Sequence, residues 1–198
     1  MDETIALQKL ALRDQLSTER RRRPLLEVPE DARAIAEHLL AAGPVRRAAT
    51  VAAYVSVGKE PGTGPLIEAL HAQGRRVILP VLLPDNDLDW AAYTGPDTLL
   101  PGSRGLLEPA GPRLGPEAIA TADVVLTPGV AVDRTGMRLG RGGGSYDRAL
   151  GRVPVGTFVC TLLYDGELLD AVPSATHDRR VTAAVTPGGV TWFRPGPG

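Results

Sequence analysis

Residues 51–83 read VAAYVSVGKEPGTGPLIEALHAQGRRVILPVLL, and the fold follows from this stretch. VAAYVSV (51–57) is a largely apolar run of strand length, GTGPLIEALHAQG (62–74) is a helix closed by Gly74, and RRVILPVLL (75–83) is a second strand. Strand, helix and strand in close succession form a βαβ unit, whose two strands lie parallel with a right-handed crossover between them. Downstream, Asp85-Asn86 marks a turn into LDWAAY (88–93), read as an antiparallel strand at the sheet edge or in a side layer. Residues 94–116 are rich in Gly and Pro and read as ordered loop. An apolar strand spans 123–132, followed by a glycine loop and a short helix over 145–150. Strands near 153–164 and 181–186 complete the core.

Upstream, residues 3–22 read as one helix and residues 30–42 as another, with Pro29 near its start and Gly43 just past its end. The tail, 194–198, is RPGPG and is expected to be disordered. There are no internal repeats and no linker, so residues 1–193 are expected to form a single α/β domain with helices on both faces of a mostly parallel sheet.

Composition narrows the function classes. The 198 residues carry 22 Lys+Arg against 23 Asp+Glu, a formal charge of -1, which excludes wholesale polyelectrolyte binding of nucleic acid but not a local basic pocket. A single cysteine, Cys160, excludes a disulfide framework. The charged N-terminus lacks the apolar core of a signal peptide and no stretch reaches membrane-span length, so a cytoplasmic protein is expected. Lys9 and Lys59 are the two lysines among the 22 basic residues, which makes each a candidate for a role needing a compact ammonium.

At roughly 100° per residue, Ile5, Leu12 and Leu16 fall on one stripe of the first helix, with Lys9 inside it and Arg13 at its edge. Two inward cations one turn apart repel and desolvate unless an anion lies against them. The alternative is that their stems pack while their heads reach water. The run Arg20 to Arg23, ending at Pro24, reads as a solvated helix end.

Two segments stand where the ligand crevice of an α/β sheet lies, beyond the carboxyl ends of strands. Gly58-Lys59-Glu60-Pro61-Gly62-Thr63 follows the strand at 51–57. Gly136-Met137-Arg138-Leu139-Gly140-Arg141-Gly142-Gly143-Gly144-Ser145-Tyr146-Asp147-Arg148 follows the strand at 123–132. The glycines from Gly140 to Gly144 expose backbone N–H groups, and the next helix points its dipole at the same place, which makes an anion cradle. A Walker A loop is excluded because no Lys-Ser/Thr pair closes it, and the dinucleotide fingerprint lacks its last glycine. Arg138 and Arg141 add bidentate donors that a plain glycine turn does not need. Asp147 beside a polyphosphate is where magnesium would be held, although a first-turn aspartate also simply suits the helix dipole. Asp178, in Ser174-Ala175-Thr176-His177-Asp178, is a second acidic candidate or a turn residue. No nucleophile triad or zinc cluster has recognisable context. The residues therefore point to a magnesium-nucleotide enzyme that transfers a phosphoryl group to a bound small molecule by positioning and positive charge.

The string GMRLGRGGGSYDRAL (136–150) resembles the signature of the 5-formyltetrahydrofolate cyclo-ligase family. The likeness extends over nearly the whole chain, through Lys9-x-x-Leu12-Arg13, Tyr54 to Glu60 with Thr63, Val77 to Val81, Glu108-Pro109, Asp123 to Asp133 and the His177-Asp178 segment. The resemblance implies a three-layer α/β domain in which ATP and 5-formyltetrahydrofolate give 5,10-methenyltetrahydrofolate, ADP and phosphate. It assigns Lys9, Arg13 and the loop Arg138, Leu139, Gly140, Arg141, Gly142, Gly143, Gly144, Ser145 and Tyr146 to ATP. Lys9, Arg138 and Arg141 carry the catalytic charge. Asp147 and Asp178 would hold Mg2+, and Glu60 with residues 141–146 would contact the folate. Two positions depart from the family pattern: Ser145 stands where a tyrosine is usual, and Pro61-Gly62 follows Glu60. The expected partners are small molecules, not nucleic acid or membrane, and the expected state is a monomer. The alternatives are a relative using MgATP on another formyl or carboxamide substrate, or a nucleotide- or folate-binding protein without turnover.

Overall fold

The computed structural model describes residues 2–176 and 178–193, so His177 and the tail at 194–198 lie outside the described residues. The chain begins with helix α1 (Asp2–Arg22), α2 (Glu27–Ala41) and the short α3 (Gly43–Arg47). The βαβ unit follows as β1 (Thr50–Ala52), α4 (Gly64–Ala72) and β2 (Arg76–Leu82). Strand β1 pairs parallel with β2 in the register Val51 to Val77, as the sequence pattern requires. Only two residues of the 51–57 run, Val51 and Ala52, join the ladder; the rest turn toward the site. Gly74 closes α4 in the left-handed region at φ 74°, where a Cβ would be strained.

Asn86 makes the expected turn at φ 66° and β3 (Leu88–Ala92) returns antiparallel to β2 at the sheet edge. The stretch read as loop contains a small hairpin, β4 (Leu99–Pro101) and β5 (Leu107–Pro109). The strand expected over 123–132 is two strands. Strand β6 (Val124–Pro128) lies in the main sheet, and β7 (Ala131–Asp133) belongs to a small sheet with β8 (Arg138–Leu139) and β10 (Leu168–Leu169). Pro128-Gly129 causes the break, because Pro lacks the ladder N–H. A Cβ at Gly129 would come within 2.4 Å of Thr161 Cγ2, so the chain can cross there only as glycine. Helix α5 (Ser145–Leu150) starts where expected, followed by β9 (Phe158–Leu162) and β11 (Ala183–Thr186). A last strand, β12 (Gly189–Trp192), pairs antiparallel with β11.

The main sheet runs β12-β11-β9-β6-β1-β2-β3, with parallel strands in the middle and an antiparallel strand at each edge. Successive residues of the central strands serve opposite faces. Val51, Val77, Val124 and Cys160 face α2 and α4, packing on Ile35, Leu39, Leu66 and Leu70. Ala52, Ile78, Val125 and Val159 face the other way, onto Ile119, Trp90 and the Ala149-Leu150 end of α5. The three layers are therefore present, with one face covered by two full helices and the other by a short helix, a 3-10 turn and the small sheet.

Helix α1 seats Leu16 and Leu12 on the small sheet, against Val130, Leu139 and Val172. The basic run at its end is solvated only in part: Arg21 and Arg22 are exposed, whereas Arg20 and Arg23 turn inward. Arg20 is 7% exposed and makes a bidentate pair with Glu167, through Nε at 2.6 Å and Nη2 at 2.7 Å, and Nη2 also donates to the Gly129 carbonyl. Arg23 pairs with Asp31 and stacks 3.9 Å over Tyr164. The stripe containing Lys9, Arg13 and Leu16 continues to Arg20 one turn later, so the same periodicity that turned Lys9 inward also turns Arg20 inward.

Candidate active site

The glycine loop lies between β8 and α5, and the turn at Pro128-Gly129 is what carries it beside the carboxyl ends of the parallel strands. The segment after β1 reaches the same place. It is locally braced, since Ser56 N donates to Thr63 Oγ1 at 2.9 Å and Thr63 N donates to Ser56 Oγ at 3.1 Å. The Pro61-Gly62 departure has a packing reason: a Cβ at Gly62 would approach the Ala32 Cβ to 2.8 Å, so glycine lets this loop close on α2.

Two cavities meet at the glycine loop. One, of about 390 Å³, is lined by Lys9, Arg13, Arg138, Asp147 and Asp178 together with loop glycines. The other, of about 300 Å³, is lined by Tyr54, Glu60, Leu82, Leu88, Leu106 and Tyr146, among others. Arg138, Gly140, Gly142, Gly144 and Asp147 line both. Glycine is needed in this shared wall. A Cβ at Gly140 would lie 2.7 Å from Arg138 Nη1, and Gly142 holds φ 98° with the Arg13 guanidinium close by.

Each predicted cation has a partner. Lys9 Nζ lies 2.5 Å from Asp178 Oδ2, which also accepts from Ala175 N at 2.6 Å. Arg13 Nε donates to the Gly140 carbonyl at 2.7 Å, tying α1 to the loop. Arg138 is buried, donating through Nη2 to Asp147 Oδ1 at 3.0 Å and through Nη1 to the Pro128 carbonyl at 3.2 Å. Arg141 is mostly exposed, and its Nη2 lies 3.1 Å from the buried Glu60 Oε1. Lys9 and Arg13 therefore have their anionic and carbonyl partners, and the snorkelling alternative does not hold for Lys9, whose side chain is 12% exposed.

Among the described residues, three buried polar atoms in the second cavity's lining lack hydrogen-bond partners: Tyr54 Oη, Tyr146 Oη and Arg138 Nε. Buried polar atoms are normally paired, so a cluster of three around one cavity marks a place where a ligand supplies the missing partners. Burial near Glu60 pushes the Tyr54 hydroxyl well above its ordinary value, and burial raises Tyr146 likewise, so both act as neutral donors or acceptors. Burial also raises Glu60, opposed by the Arg141 charge and by the Val57 N–H that donates to Oε2 at 2.9 Å. Tyr146, whose ring lies 5.8 Å from the Arg138 guanidinium, supplies an aromatic surface beside Ser145. Cys160 is buried, its thiol is raised by burial, and it lines neither cavity.

The predicted residues Lys9, Arg13, Glu60, Arg138 to Asp147 and Asp178 thus come together around the two cavities. The sequence reading missed Tyr54 as an orphaned site hydroxyl and the hairpin residues Arg104, Leu106 and Leu107, which also line the second cavity. Tyr54 offered one signal, a hydroxyl closing an otherwise aliphatic run. The hairpin offered none, since its position depends on pairing with β2 through Glu108 Oε1, which accepts from Leu82 N at 3.1 Å.

Fold and site together define an α/β domain in which a basic cavity and a largely apolar one share the glycine loop as their common wall. The chain belongs to the 5-formyltetrahydrofolate cyclo-ligase family, whose model matches residues 6–187. It is 46% identical over 143 residues to the 5-formyltetrahydrofolate cyclo-ligase of Mycolicibacterium smegmatis, covering 70% of this chain and 73% of that one. It is 37% identical to the Escherichia coli enzyme of the same name over 155 residues, covering 74% of this chain and 82% of that one. The solved structure of Aquifex aeolicus 5,10-methenyltetrahydrofolate synthetase superposes with a TM-score of 0.82 at 27% identity, over 96% of this chain and 95% of that one.

Proposed function

We propose that this protein converts 5-formyltetrahydrofolate to 5,10-methenyltetrahydrofolate with ATP, releasing ADP and phosphate. The observation that carries this reading is the glycine loop as common wall of a basic cavity and a largely apolar one with orphaned polar atoms. The first suits a triphosphate and the second a pterin with its aromatic linker. Their shared wall brings a γ-phosphate and a formyl group together.

The chemistry asks for no enzyme nucleophile. The formyl oxygen attacks the γ-phosphorus and ADP leaves. The folate N10 then attacks the activated formyl carbon, loses its proton, and the C–O bond breaks to release phosphate. Negative charge develops on the transferred group, so fixed cations are the main catalytic device. Arg138 and Arg141 are suited to that role from the loop, Lys9 as a point charge from α1, and Arg13 as the tie holding α1 to Gly140. Residues 139–146 cradle ATP, and Glu60 with residues 141–146 contacts the folate.

Asp147 and Asp178 line the same cavity and present hard carboxylate oxygens, and among the described residues no cluster of three or more His, Cys, Asp or Glu forms a metal cage. That donor set fits Mg2+, which characteristically takes one or two protein carboxylates plus phosphate oxygens. When bound it would neutralise phosphate charge. A cytoplasmic monomer acting on small molecules completes the reading. Among the described residues no helix is long and apolar enough to cross a membrane.

The test is to mix the purified protein with MgATP and 5-formyltetrahydrofolate and follow the methenyl chromophore together with ADP. Both should appear in equal amounts. ADP release without methenyl product would redirect the reading to another formyl or carboxamide substrate, and binding of both ligands without turnover would make it a binding protein.

A further inference from the structure

Arg104 sits at the tip of the β4–β5 hairpin and lines the apolar cavity from its exposed side. Three arginines line that cavity, Arg104, Arg138 and Arg141. Arg138 is committed to Asp147 and Arg141 to Glu60. Arg104 makes no ion pair or side-chain hydrogen bond with any described residue.

Its backbone belongs to a tight turn: Leu106 N donates to the Ser103 carbonyl at 3.1 Å, and the two central residues, Arg104 and Gly105, both hold the positive φ that a type I′ hairpin turn requires. Among the described residues, two that are not glycine hold positive φ, Asn86 at 66° and Arg104 at 56°. Asparagine tolerates that region, whereas a long side chain there is strained, and glycine would relieve it. Arg104 even has a glycine next to it, Gly105 at φ 73°, in the same turn. The first central position of such a turn is ordinarily Asn, Asp or Gly, so a long cation kept there at a cavity mouth, at some conformational cost, points to a function for the side chain. Leu106 and Leu107 follow directly and line the same cavity, with Leu107 42% exposed. The hairpin thus presents an apolar surface ending in an unpaired cation. That combination matches an aromatic linker that leads, through an amide, to a carboxylate.

We infer that Arg104 binds the glutamyl carboxylate of the reduced folate and that Leu106 and Leu107 pack against its aromatic linker, making this hairpin the subsite for the substrate tail. The inference rests on the proposed folate reaction. The reacting formyl group lies at the glycine loop, so the opposite end of the substrate extends toward solvent, where an exposed guanidinium can hold it by a bidentate pair.

The experiment compares wild type with Arg104→Gln and Arg104→Glu on two substrates, 5-formyltetrahydrofolate and a tail-less analogue, the methylamide of 5-formyltetrahydropteroate, which keeps N10, the aromatic linker and its amide but carries no carboxylate. Gln keeps the strained backbone and the stem while removing the charge. On the full substrate, KM should rise roughly fivefold for Arg104→Gln, as an exposed ion pair warrants, and further for Arg104→Glu. KM for ATP should not change. On the tail-less analogue the ratio of variant to wild type should collapse to about one, and raised salt should shrink the difference on the full substrate. Arg104→Gly should melt no lower than wild type while showing the same rise in KM, because it removes strain together with the cation. Equal effects of Arg104→Gln on both substrates, or none on the full one, overturn the inference while leaving the reaction intact. Absence of methenyl product with wild type itself overturns the underlying reading instead.

Discussion

Arg20 and Arg138 are both buried arginines paired with a carboxylate, and the two regions they hold are finished differently. Around Arg20 the accounts close: Nε and Nη2 meet Glu167, Nη2 also reaches the Gly129 carbonyl, and Glu167 Oε2 takes the Tyr164 N–H at 2.8 Å. Around Arg138, Nε is orphaned, two tyrosine hydroxyls nearby in the same cavity wall are orphaned, and Asp147 is 20% exposed. The same pair chemistry is complete where every donor is met and keeps capacity for a ligand where donors are left over. Burial of charge alone does not separate the two; the residual hydrogen-bonding capacity does.

Substituting the same residue at both positions tests that contrast. The largest effect is expected for Arg20→Met, which leaves Glu167 buried without its cation and should cost roughly 3–5 kcal/mol of stability in urea denaturation. Turnover per folded molecule should hardly change, since Arg20 touches neither cavity. Next, Arg138→Met should lower kcat about 10²- to 10³-fold, the cost of removing one preorganised donor, while the melting temperature changes little because Asp147 can rehydrate. If Arg20→Met abolished turnover at temperatures where it is folded, or Arg138→Met unfolded the chain, the distinction would fail.

The smallest effect concerns Glu60. Its raised folded value means that the native state holds this proton more tightly than the unfolded chain, so ionising it costs stability as pH rises from the ordinary carboxylate range through the raised value. Glu60→Gln removes that cost and keeps an oxygen for the Val57 N–H. Stability of wild type and variant should coincide in acid, and the variant should gain relative to wild type as pH rises, reaching a plateau. Parallel curves across pH would mean that Glu60 titrates normally and that Arg141 fully compensates its burial.

The candidate site was legible in the sequence to an uneven degree. Lys9 and Arg13 were readable as inward because helix periodicity is a local property. The same rule applied to Arg20, where a run of four basic letters suggested solvent instead. The glycine loop and its arginines were readable from spacing. The break at Pro128-Gly129 was signalled by its two residues but hidden inside an apolar run that suited a single strand. Strand β12 lies in a glycine-opened stretch whose pairing with β11 depends on the tertiary edge.

By itself the sequence determined the parallel α/β order, the anion-binding loop and the identity of the charged residues, because periodicity, turn chemistry and side-chain type act over a few neighbouring residues. Only the tertiary structure decided the pairings Lys9 to Asp178, Arg20 to Glu167 and Arg141 to Glu60, since these join residues far apart in the chain. It also decided which polar atoms were left over. Whether a buried donor is satisfied depends on everything packed around it, and that remainder separates Arg20, whose donors are met, from Arg138, whose proposed role is toward a ligand.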